Sequence, residues 1–426
     1  MTDLNTQAEL VRRSLKRRYR KERRFRAYGI VAVGVALLAL ITLFSDIIGK
    51  GYTGFLKTTV TLEVNLDPEL MYLDDASDKD ALRMADFKAP LLAALRQELP
   101  DATTSREDTR ALGGLLSGYA ANELQDRVAA DPSLLGTRQV MTFLAHGNVD
   151  VYNKHAGETA YSIKLTPQQQ QWVDTLKANN VVNTEFNDIL FVHGDSREPA
   201  NAGVAGAMVG SLLTMLVTLL LSFPIGVSAA IYLEEFAPQN RLTDFIEVNI
   251  NNLAAVPSII FGLLGLAVFI NLFGMPRSIP FVGGLVLTLM TLPTIIIASR
   301  AAIKSVPPSI REAAEGIGAS KMQVVMHHVL PLAMPGMLTG SIIGMAQALG
   351  ETAPLLLIGM VAFIVDVPDG LFDAATVLPV QIFLWAGSPE LGFIERASAA
   401  IMVLLAFLIS MNALAIWLRK RLERRW

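Results

Sequence analysis

The chain has 426 residues, of which 52% are hydrophobic and 18% are charged, and its mean hydropathy is +0.42. This composition is typical of a membrane protein and departs from that of a soluble globular domain. The chain contains no cysteine, which excludes disulfide bonds, thiol catalysis and zinc–thiolate sites. The formal net charge is only −3, but the charges are strongly segregated along the chain.

Both ends of the chain are basic. Ten Lys or Arg lie between Arg12 and Arg26, and a second basic cluster follows Trp417. Because cytoplasmic segments of membrane proteins are rich in Lys and Arg, we expect both termini in the cytoplasm. A basic segment can also bind nucleic acid, but its position directly before an apolar segment favours a membrane anchor. No nucleic-acid partner is therefore expected.

Six segments are apolar enough to cross a bilayer, which needs about 20 residues each. The loop at residues 234–247 lies between the second and third of these segments and should therefore be cytoplasmic, but it contains only one basic residue, Arg241. An even number of spans returns the C-terminus to the side of the N-terminus, in agreement with the two basic ends. The expected fold is an all-α polytopic membrane protein with six transmembrane helices, at residues 28–48, 204–232, 253–273, 281–299, 334–365 and 397–418.

Residues 50–200 are long enough for a core of their own and hold 22 acidic and 14 basic residues. Residues 58–65 alternate in a strand-like pattern, and residues 91–99 and 168–177 are helix-like. We therefore expect an inserted extracytoplasmic α+β domain, whose role the sequence leaves open. Its histidines are scattered, so no metal site is expected. The predicted domains are a basic cytoplasmic N-terminus (1–27), a first transmembrane helix (28–49), an extracytoplasmic accessory domain (50–200), a membrane core (203–420) and a basic cytoplasmic tail (421–426).

The segment 309–331 is too polar to cross a bilayer although it lies between two candidate spans. Ser309 and Glu312 have the spacing of a capping box, which predicts that a short helix begins there. Gly318 permits the turn that follows this helix.

A second short helix is predicted directly after that turn. Ser320 and Gln323 repeat the capping spacing, and the helix should end at Leu330 and Pro331 because proline cannot continue it. Two capped short helices between membrane spans are expected to bind another protein. The competing interpretation is an ordinary cytoplasmic loop.

Glu351 is the most unusual charged residue of the membrane segments. A carboxylate at this depth costs roughly 2.5–3.5 kcal/mol, so its presence indicates a function. Gly350 and Pro354 predict a locally opened helix, and Gln347, Glu351 and Thr352 are expected to share one helical face. We predict that Gln347, Gly350, Glu351 and Thr352 line a transport path. The alternative is a carboxylate that only bonds a neighbouring helix.

Arg300, which closes the fourth predicted span, is a further candidate for the path. A guanidinium at this position can contact an anionic substrate. It can also extend to the cytoplasmic surface and act as a positively charged anchor, which is the interpretation that the sequence favours. Both interpretations stay open at this level.

Several segments resemble, in the same order, the PstA-type permeases of phosphate-specific ABC importers. Residues 347–359 (QALGETAPLLLIG) are similar to the signature of that family, and residues 224–238, 252–269 and 378–389 also fit it. The likeness covers about residues 203–420. The segment 309–331 resembles the EAA loop of ABC-importer permeases at Glu312, Ala313, Ala314, Gly318, Leu330 and Pro331.

The resemblance implies a five-helix type I permease core with one preceding helix, in the bacterial cytoplasmic (inner) membrane. It also implies a second homologous permease (PstC type), a dimer of ATPase subunits (PstB type) docked on the EAA loop, and an extracytoplasmic phosphate-binding protein (PstS type). The permease would be surrounded by the lipid bilayer, and the resemblance implies no cofactor. Because the chain has no G-x-x-x-x-G-K-[ST] loop, ATP hydrolysis is expected on a separate subunit, and the chain itself is not expected to be an enzyme.

The sequence departs from the family at Gln347, where arginine is frequent, and at His328, where isoleucine or valine is usual. The insertion after the first span is also longer than in compact members. Two alternatives therefore stay open: an ABC permease for another oxyanion (sulfate, molybdate or a phosphonate), and a membrane sensor whose external domain receives a signal. A channel or a secondary transporter is a further possibility.

Overall fold

The structure is a computed structural model that describes residues 2–73, 79–156 and 164–422. The chain divides into two compact units, Met1–Lys50 and Gly51–Trp426. The first unit consists of one long helix, α1 (Thr2–Gly51). No proline occurs before Pro68, so nothing interrupts the hydrogen bonds of this helix, and the predicted span 28–48 lies within it.

The second unit begins with a three-stranded antiparallel sheet in the order β2-β1-β3, formed by β1 (Leu56–Asn65), β2 (Arg138–Leu144) and β3 (Val182–Phe186). On the central strand, Val60 lies opposite Phe143 of β2 and Val182 of β3. The alternating residues Val60, Leu62 and Val64 of β1 are buried, as the strand-like pattern of residues 58–65 predicts.

Short helices cover the sheet and close its apolar core. Leu95, Leu124 and Leu176 are fully buried in this core, each from a different helix. The predicted helix at residues 168–177 is confirmed within one residue at each end, and the helix predicted at residues 91–99 is confirmed but begins three residues earlier, at Lys88. The helices are α2 (Lys79–Met84), α3 (Lys88–Glu98), α4 (Arg106–Gly113), α5 (Ala120–Ala130), α6 (Gly147–His155), α7 (Pro167–Ala178) and α8 (Ile189–Val192).

The remainder of the chain is helical and mostly apolar. Its helices are α9 (Ala205–Ile231), α10 (Arg241–Ala254), α11 (Ser258–Gly265), α12 (Pro280–Lys304), α13 (Pro308–Gly316), α14 (Lys321–Val324), α15 (Leu330–Leu349), α16 (Ala353–Leu357), α17 (Leu378–Ala386) and α18 (Leu391–Leu422). π-Helical turns extend α9 (Tyr232–Phe236) and α11 (Leu266–Leu272), and a third one joins α14 to α15 (Val325–Val329).

Among the described residues, five helices are long and apolar enough to cross a membrane, or up to six if one bent pair is a single span. The chain is therefore a mostly helical, multi-pass membrane protein. The bent pair joins Arg241–Ala254 to Ser258–Leu272 at 101°. The predicted span 253–273 is not one continuous helix, because Pro257, which has no amide hydrogen, precedes α11 as its N-cap residue. The predicted span 334–365 is also interrupted, since α15 ends at Leu349.

Small residues bring α12 and α15 into close antiparallel contact. A Cβ atom added to Gly336 would lie 2.6 Å from the Cβ of Ala302, and one added to Gly340 would lie 2.2 Å from the Cβ of Ala298. Residue numbers that increase along α15 therefore face residue numbers that decrease along α12, which shows that the two helices are antiparallel. Close approach at small residues is the usual way in which membrane helices associate, and it fixes α15 firmly on α12.

Candidate functional site

Residues 309–331 are predicted to bind a partner and are called the docking loop here. Its first helix begins one residue earlier than predicted. α13 starts at Pro308, with Pro307 as its N-cap, and no side chain caps it. The predicted capping box of Ser309 and Glu312 is therefore wrong. A proline at the first helical position has its backbone angle preset for the helix, so the start is decided before Ser309 is reached.

The turn after α13 is a Schellman motif, as the pair of hydrogen bonds across it shows. The amide of Ala319 donates to the carbonyl of Ala314 (3.1 Å), and the amide of Gly318 donates to that of Glu315 (2.9 Å). Gly318 has φ +90°, a left-handed conformation that favours glycine. The predicted turn at Gly318 is confirmed, and the backbone geometry explains why this residue is glycine.

The second helix has the predicted capping box. Gln323 Oε1 accepts from the amide of Ser320 (2.8 Å), and Ser320 Oγ accepts from the amide of Gln323 (3.4 Å). The predicted end at Leu330 and Pro331 is wrong, because the chain continues from Lys321 to Leu349 as one candidate span. The π-helical turn Val325–Val329 lies just before the proline, where a missing amide hydrogen and ring bulk would otherwise break the helix.

The docking loop has a buried face and an exposed face. Ala314, Val324 and Val329 are buried in a cluster with residues of α12 and α15. Glu312 and Ala313 are exposed, Ile317 is 84% exposed, and Leu330 and Pro331 are half-buried. Beside the exposed face lies a groove of about 500 Å³, lined in part by Pro307, Ile310, His327, His328, Pro331 and Leu332. The exposed face can therefore contact a partner, while the buried face is held against α12 and α15.

A partly buried ion-pair cluster joins α12 to α10 and to the π-helical turn after α9. Arg300 is 9% exposed and bonds Glu234 through Nε and Glu247 through Nη2, both at 2.5 Å. Lys304 Nζ lies 3.3 Å from the same Glu234 carboxylate. Arg300 is therefore engaged by two carboxylates of neighbouring elements.

Arg311 ties the docking loop to this cluster. Its guanidinium contacts Glu235 Oε1 at 2.9 Å and donates to the carbonyls of Val306 (2.7 Å) and Ile303 (3.0 Å) at the end of α12. Glu234, Glu235 and Glu247 were not among the predicted site residues. The one signal for them in the sequence is the shortage of basic residues in loop 234–247. The structure explains this shortage, because these acids pair with Arg and Lys of α12 and α13.

The predicted path residues lie at a break between two helices. α15 ends at Leu349, and the amides of Gly350 and Glu351 close a tight turn on the carbonyls of Gln347 (3.1 Å) and Ala348 (3.2 Å). The predicted common helical face of Gln347, Glu351 and Thr352 is wrong, because the helix ends before Glu351. The predicted local opening at Gly350 does occur.

The turn at residues 347–352 leaves its polar groups accessible. Gln347 and Gly350 are exposed, and Glu351 and Thr352 are half-buried. Within the described part of the chain, Glu351 takes part in no ion pair. A half-buried carboxylate without a charged partner can accept a hydrogen bond from a ligand or orient a cationic group of another subunit.

Arg300 does not lie near this turn. Gly340 of α15 faces Ala298 of α12, so Arg300 lies towards the docking loop from this contact and Gln347 lies in the opposite direction. At 1.5 Å per residue, the two are separated by about 14 Å along the helix axis. The structure thus separates the predicted site residues: those of the docking loop lie before and at the start of α15, those of residues 347–352 lie at its far end, and Arg300 is level with its middle.

The short helix α16 returns the chain from the turn. It packs on α11, where a Cβ atom added to Gly262 would lie 2.6 Å from the Cα of Pro354. This close contact leaves no space for a side chain at residue 262. The turn at residues 347–352 is therefore held between α15, which is fixed on α12, and α16, which is fixed on α11.

Two families of known proteins match this chain in separate regions. Residues 222–426 match the binding-protein-dependent transport system inner membrane component family. Residues 12–162 match a domain of unknown function, DUF3333. The first match contains the docking loop and the turn at residues 347–352, and the second contains most of α1 and two of the three β-strands.

Relatives of the membrane region are permeases. The probable ABC transporter permease protein YqgI of Bacillus subtilis is 36% identical over 157 residues, which are 37% of this chain and 53% of that protein. The chain thus spans about half the length of this relative. The phosphate transport system permease protein PstA 1 of Mycobacterium tuberculosis is 30% identical over 225 residues, 52% of this chain and 72% of that protein. Among solved structures, the inward-facing MetNI methionine ABC transporter covers 52% of this chain and 96% of its own, at 19% identity and a TM-score of 0.41.

Proposed function

Because this chain belongs to the family of binding-protein-dependent transport inner-membrane components, as a PstA-type ABC permease, we propose that it imports inorganic phosphate. The chain is a permease subunit and not an enzyme, and ATP hydrolysis takes place on a separate subunit. The phosphate path would be shared with a second, homologous permease of the PstC type.

One observation carries the mechanism: the docking loop and the turn at residues 347–352 are joined by a single helical run. The run from Lys321 to Leu349 contains 29 residues, which corresponds to a length of about 43 Å. A partner that moves α13 and α14 would therefore move α15, and with it the turn at its far end. Arg311, held by Glu235, would transmit the same movement to α9.

The two predicted groups of site residues then have separate roles. Glu312, Ala313, Ala314, Gly318, Leu330 and Pro331 belong to the surface on which an ATPase dimer of the PstB type docks. Gln347, Gly350, Glu351 and Thr352 line the phosphate path, where the Glu351 carboxylate accepts a hydrogen bond from protonated phosphate or orients a basic residue of the second permease.

The pairing of Arg300 with Glu234 and Glu247 supports a structural role of this residue over a contact with phosphate. A guanidinium engaged by two carboxylates has little net charge to offer an anion. Arg300 thus joins α12 to α10 and to the π-helical turn after α9, a role that differs from that of a positively charged anchor at the cytoplasmic surface.

In the bacterial inner membrane, the protein would have six spans, with the bent pair counted as one, and both termini in the cytoplasm. The basic ends of the chain support this orientation. Residues 50–200 would then lie outside the cytoplasm as an accessory domain, on the side from which a phosphate-binding protein of the PstS type delivers its ligand.

Radiolabelled phosphate uptake tests the proposal, in cells that lack this chain and in the same cells with the chain restored. Uptake that returns with the chain, and that excess arsenate blocks while excess sulfate does not, is the expected result. Competition by sulfate, molybdate or a phosphonate would instead identify a permease for another oxyanion. High-affinity phosphate uptake that does not depend on the chain would contradict the proposal.

A further inference from the structure

A short segment before α9 holds a loop of the membrane region in place. The segment is residues 193–197, and the loop, called the return loop here, is residues 358–377 between α16 and α17. The amide of Asp195 donates to the carbonyl of Ile364 (3.1 Å), and Trp385 Nε1 of α17 donates to Asp195 Oδ1 (3.0 Å). The Arg197 guanidinium carbon lies 5.7 Å from the centre of the Phe363 ring.

The two backbones approach so closely that glycine is required. A Cβ atom added to Gly194 would lie 2.1 Å from the carbonyl oxygen of Val365, a distance that no real contact reaches. At Gly206, near the start of α9, an added Cβ atom would lie 3.3 Å from the carbonyl oxygen of Asp366. A side chain at residue 194 must therefore displace the return loop, and one at residue 206 must displace it less.

The return loop is bonded directly to the elements that hold the turn at residues 347–352. Thr376 Oγ1 donates to the carbonyl of Met360 (3.0 Å), whose amide donates to the carbonyl of Leu355 in α16 (3.1 Å). Ser278 Oγ donates to the carbonyl of Gly359, and the amide of Ala375 donates to the carbonyl of Ser278 (2.7 Å). Displacement of the return loop would therefore reach α16 and the turn.

The α+β region, which is the β-sheet with the helices that cover it, is also fixed to α18 by a buried charged cluster. It therefore cannot move freely with a displaced return loop. His155 Nε2 lies 2.7 Å from Glu395 Oε1, and both residues are buried. Arg396 donates to the carbonyls of Gly54 (2.7 Å) and Pro199 (3.0 Å). Breaking such a buried network is energetically costly. The network therefore holds α18 against both the α+β region and the segment that precedes α9.

We infer that Gly194 and Asp195 are positioning residues for transport: they hold the return loop, and through it the turn that contains Glu351. The α+β region would then be a structural part of the outer end of the path. The role of Gly194 and Asp195 in transport rests on the proposed function. Their contact with the return loop does not depend on which substrate is carried.

Transport by substituted proteins provides one test. Gly194→Ala is expected to lower the maximal uptake rate per permease about tenfold, equivalent to about 1.4 kcal/mol, with the KM for external phosphate unchanged. Gly206→Ala should have a smaller effect in the same direction. The matched control is Gly113→Ala in α4, because an added Cβ atom there has nothing within 4 Å. Asp195→Ala should also lower the rate, whereas Asp195→Asn keeps an oxygen acceptor for Trp385 and should restore it.

A labelling experiment separates this inference from the proposed function. Because the chain contains no cysteine, Thr352→Cys provides a single reactive thiol at the turn. Its rate of labelling by a water-soluble maleimide should change severalfold when Gly194→Ala is added, and should not change when Gly113→Ala is added. Equal labelling rates in all three proteins would overturn the inference, even if phosphate uptake is confirmed. A changed rate would support it, even if the substrate is another oxyanion.

Discussion

The two ends of α15 differ in how their polar residues are held. From the middle of α15 to its docking end, Arg300 and Arg311 are bonded to Glu234 and Glu235, and these contacts are mostly buried. At the other end, the half-buried Glu351 takes part in no ion pair within the described residues. One end has its charges neutralised inside the protein, and the other leaves a carboxylate available.

This difference corresponds to the work expected of each end. A surface that transmits force from a partner must not deform locally, and buried ion pairs with hydrogen bonds to backbone carbonyls resist deformation. A path must bind its ligand weakly and release it, so a residue there cannot be committed to an internal partner. Three substitutions test this comparison, and a fourth tests a carboxylate in the α+β region. Each of them alters one group.

The largest loss of stability is expected for Glu234→Gln at the docking end. This substitution removes one of the two carboxylates of the buried Arg300 and should lower the free energy of unfolding by about 3 kcal/mol. Unfolding of the detergent-solubilised protein measures this change. Arg83→Gln is the control, because Arg83 and Asp80 lie 3.9 Å apart and are more than 80% exposed. A loss no larger than that of the control would contradict the structural role of the cluster.

Replacing Gly318 tests whether the shape of the docking loop matters for transport. At φ +90° a valine is strained, at a cost of about 1–3 kcal/mol, so Gly318→Val should displace α13. Phosphate uptake should fall about tenfold while the amount of protein in the membrane is unchanged. Gly316→Val is the matched control, since neither glycine has an atom within 4 Å of an added Cβ and only Gly318 has positive φ. Equal uptake in the two variants would argue against a role of the Schellman turn.

Glu351→Gln should show the opposite pattern to Glu234→Gln. Because no charged group among the described residues pairs with Glu351, the free energy of unfolding should change by less than about 0.5 kcal/mol. If Glu351 lines the path as proposed, uptake should fall about fivefold, equivalent to about 1 kcal/mol, since the path would lose its carboxylate. Glu390→Gln, at an exposed position before α18, is the control for loss of a charge. A large loss of stability in Glu351→Gln would show that the residue is structural.

The smallest effect is a pH dependence in the α+β region. The Thr103 hydroxyl (2.5 Å) and amide (2.8 Å) donate to Asp108 Oδ2, and these bonds hold the pKa of Asp108 below its usual value of 3.8. Since the folded pKa is the lower one, this stabilisation is present above the unfolded pKa and is lost as the pH falls through the folded pKa. Unfolding followed from about pH 5 to about pH 3 should therefore depend less on pH in Asp108→Asn than in the wild type. Identical pH profiles would contradict this assignment.

Local sequence signals predicted several elements well. The capping box of Ser320 and Gln323, the turn at Gly318 and the helix break at Gly350 all appear where the sequence places them. Each depends on the conformational preferences of a few neighbouring residues, and such preferences can be recognised from the sequence alone.

The errors concern prolines, whose effect depends on the residues around them. Pro331 was expected to end a helix, but a π-helical turn accommodates it and the helix continues. Pro257 separates two helices that meet at 101°, a sharper break than the single predicted span of residues 253–273 implies. Pro308 started a helix ahead of the predicted capping box. Whether a proline ends, bends or begins a helix depends on packing against other elements.

The sequence by itself determined the membrane character, the family resemblance, the turn at Gly318 and the helix break at Gly350, because composition and local motifs carry this information. Only the tertiary structure decided that Arg300 is bonded to Glu234 and Glu247, that one helical run joins the docking loop to the turn, and that Gly194 contacts Val365. These contacts join residues far apart in the chain. Their partners are selected by how helices pack and by which buried charges can be neutralised, and no local pattern records either choice.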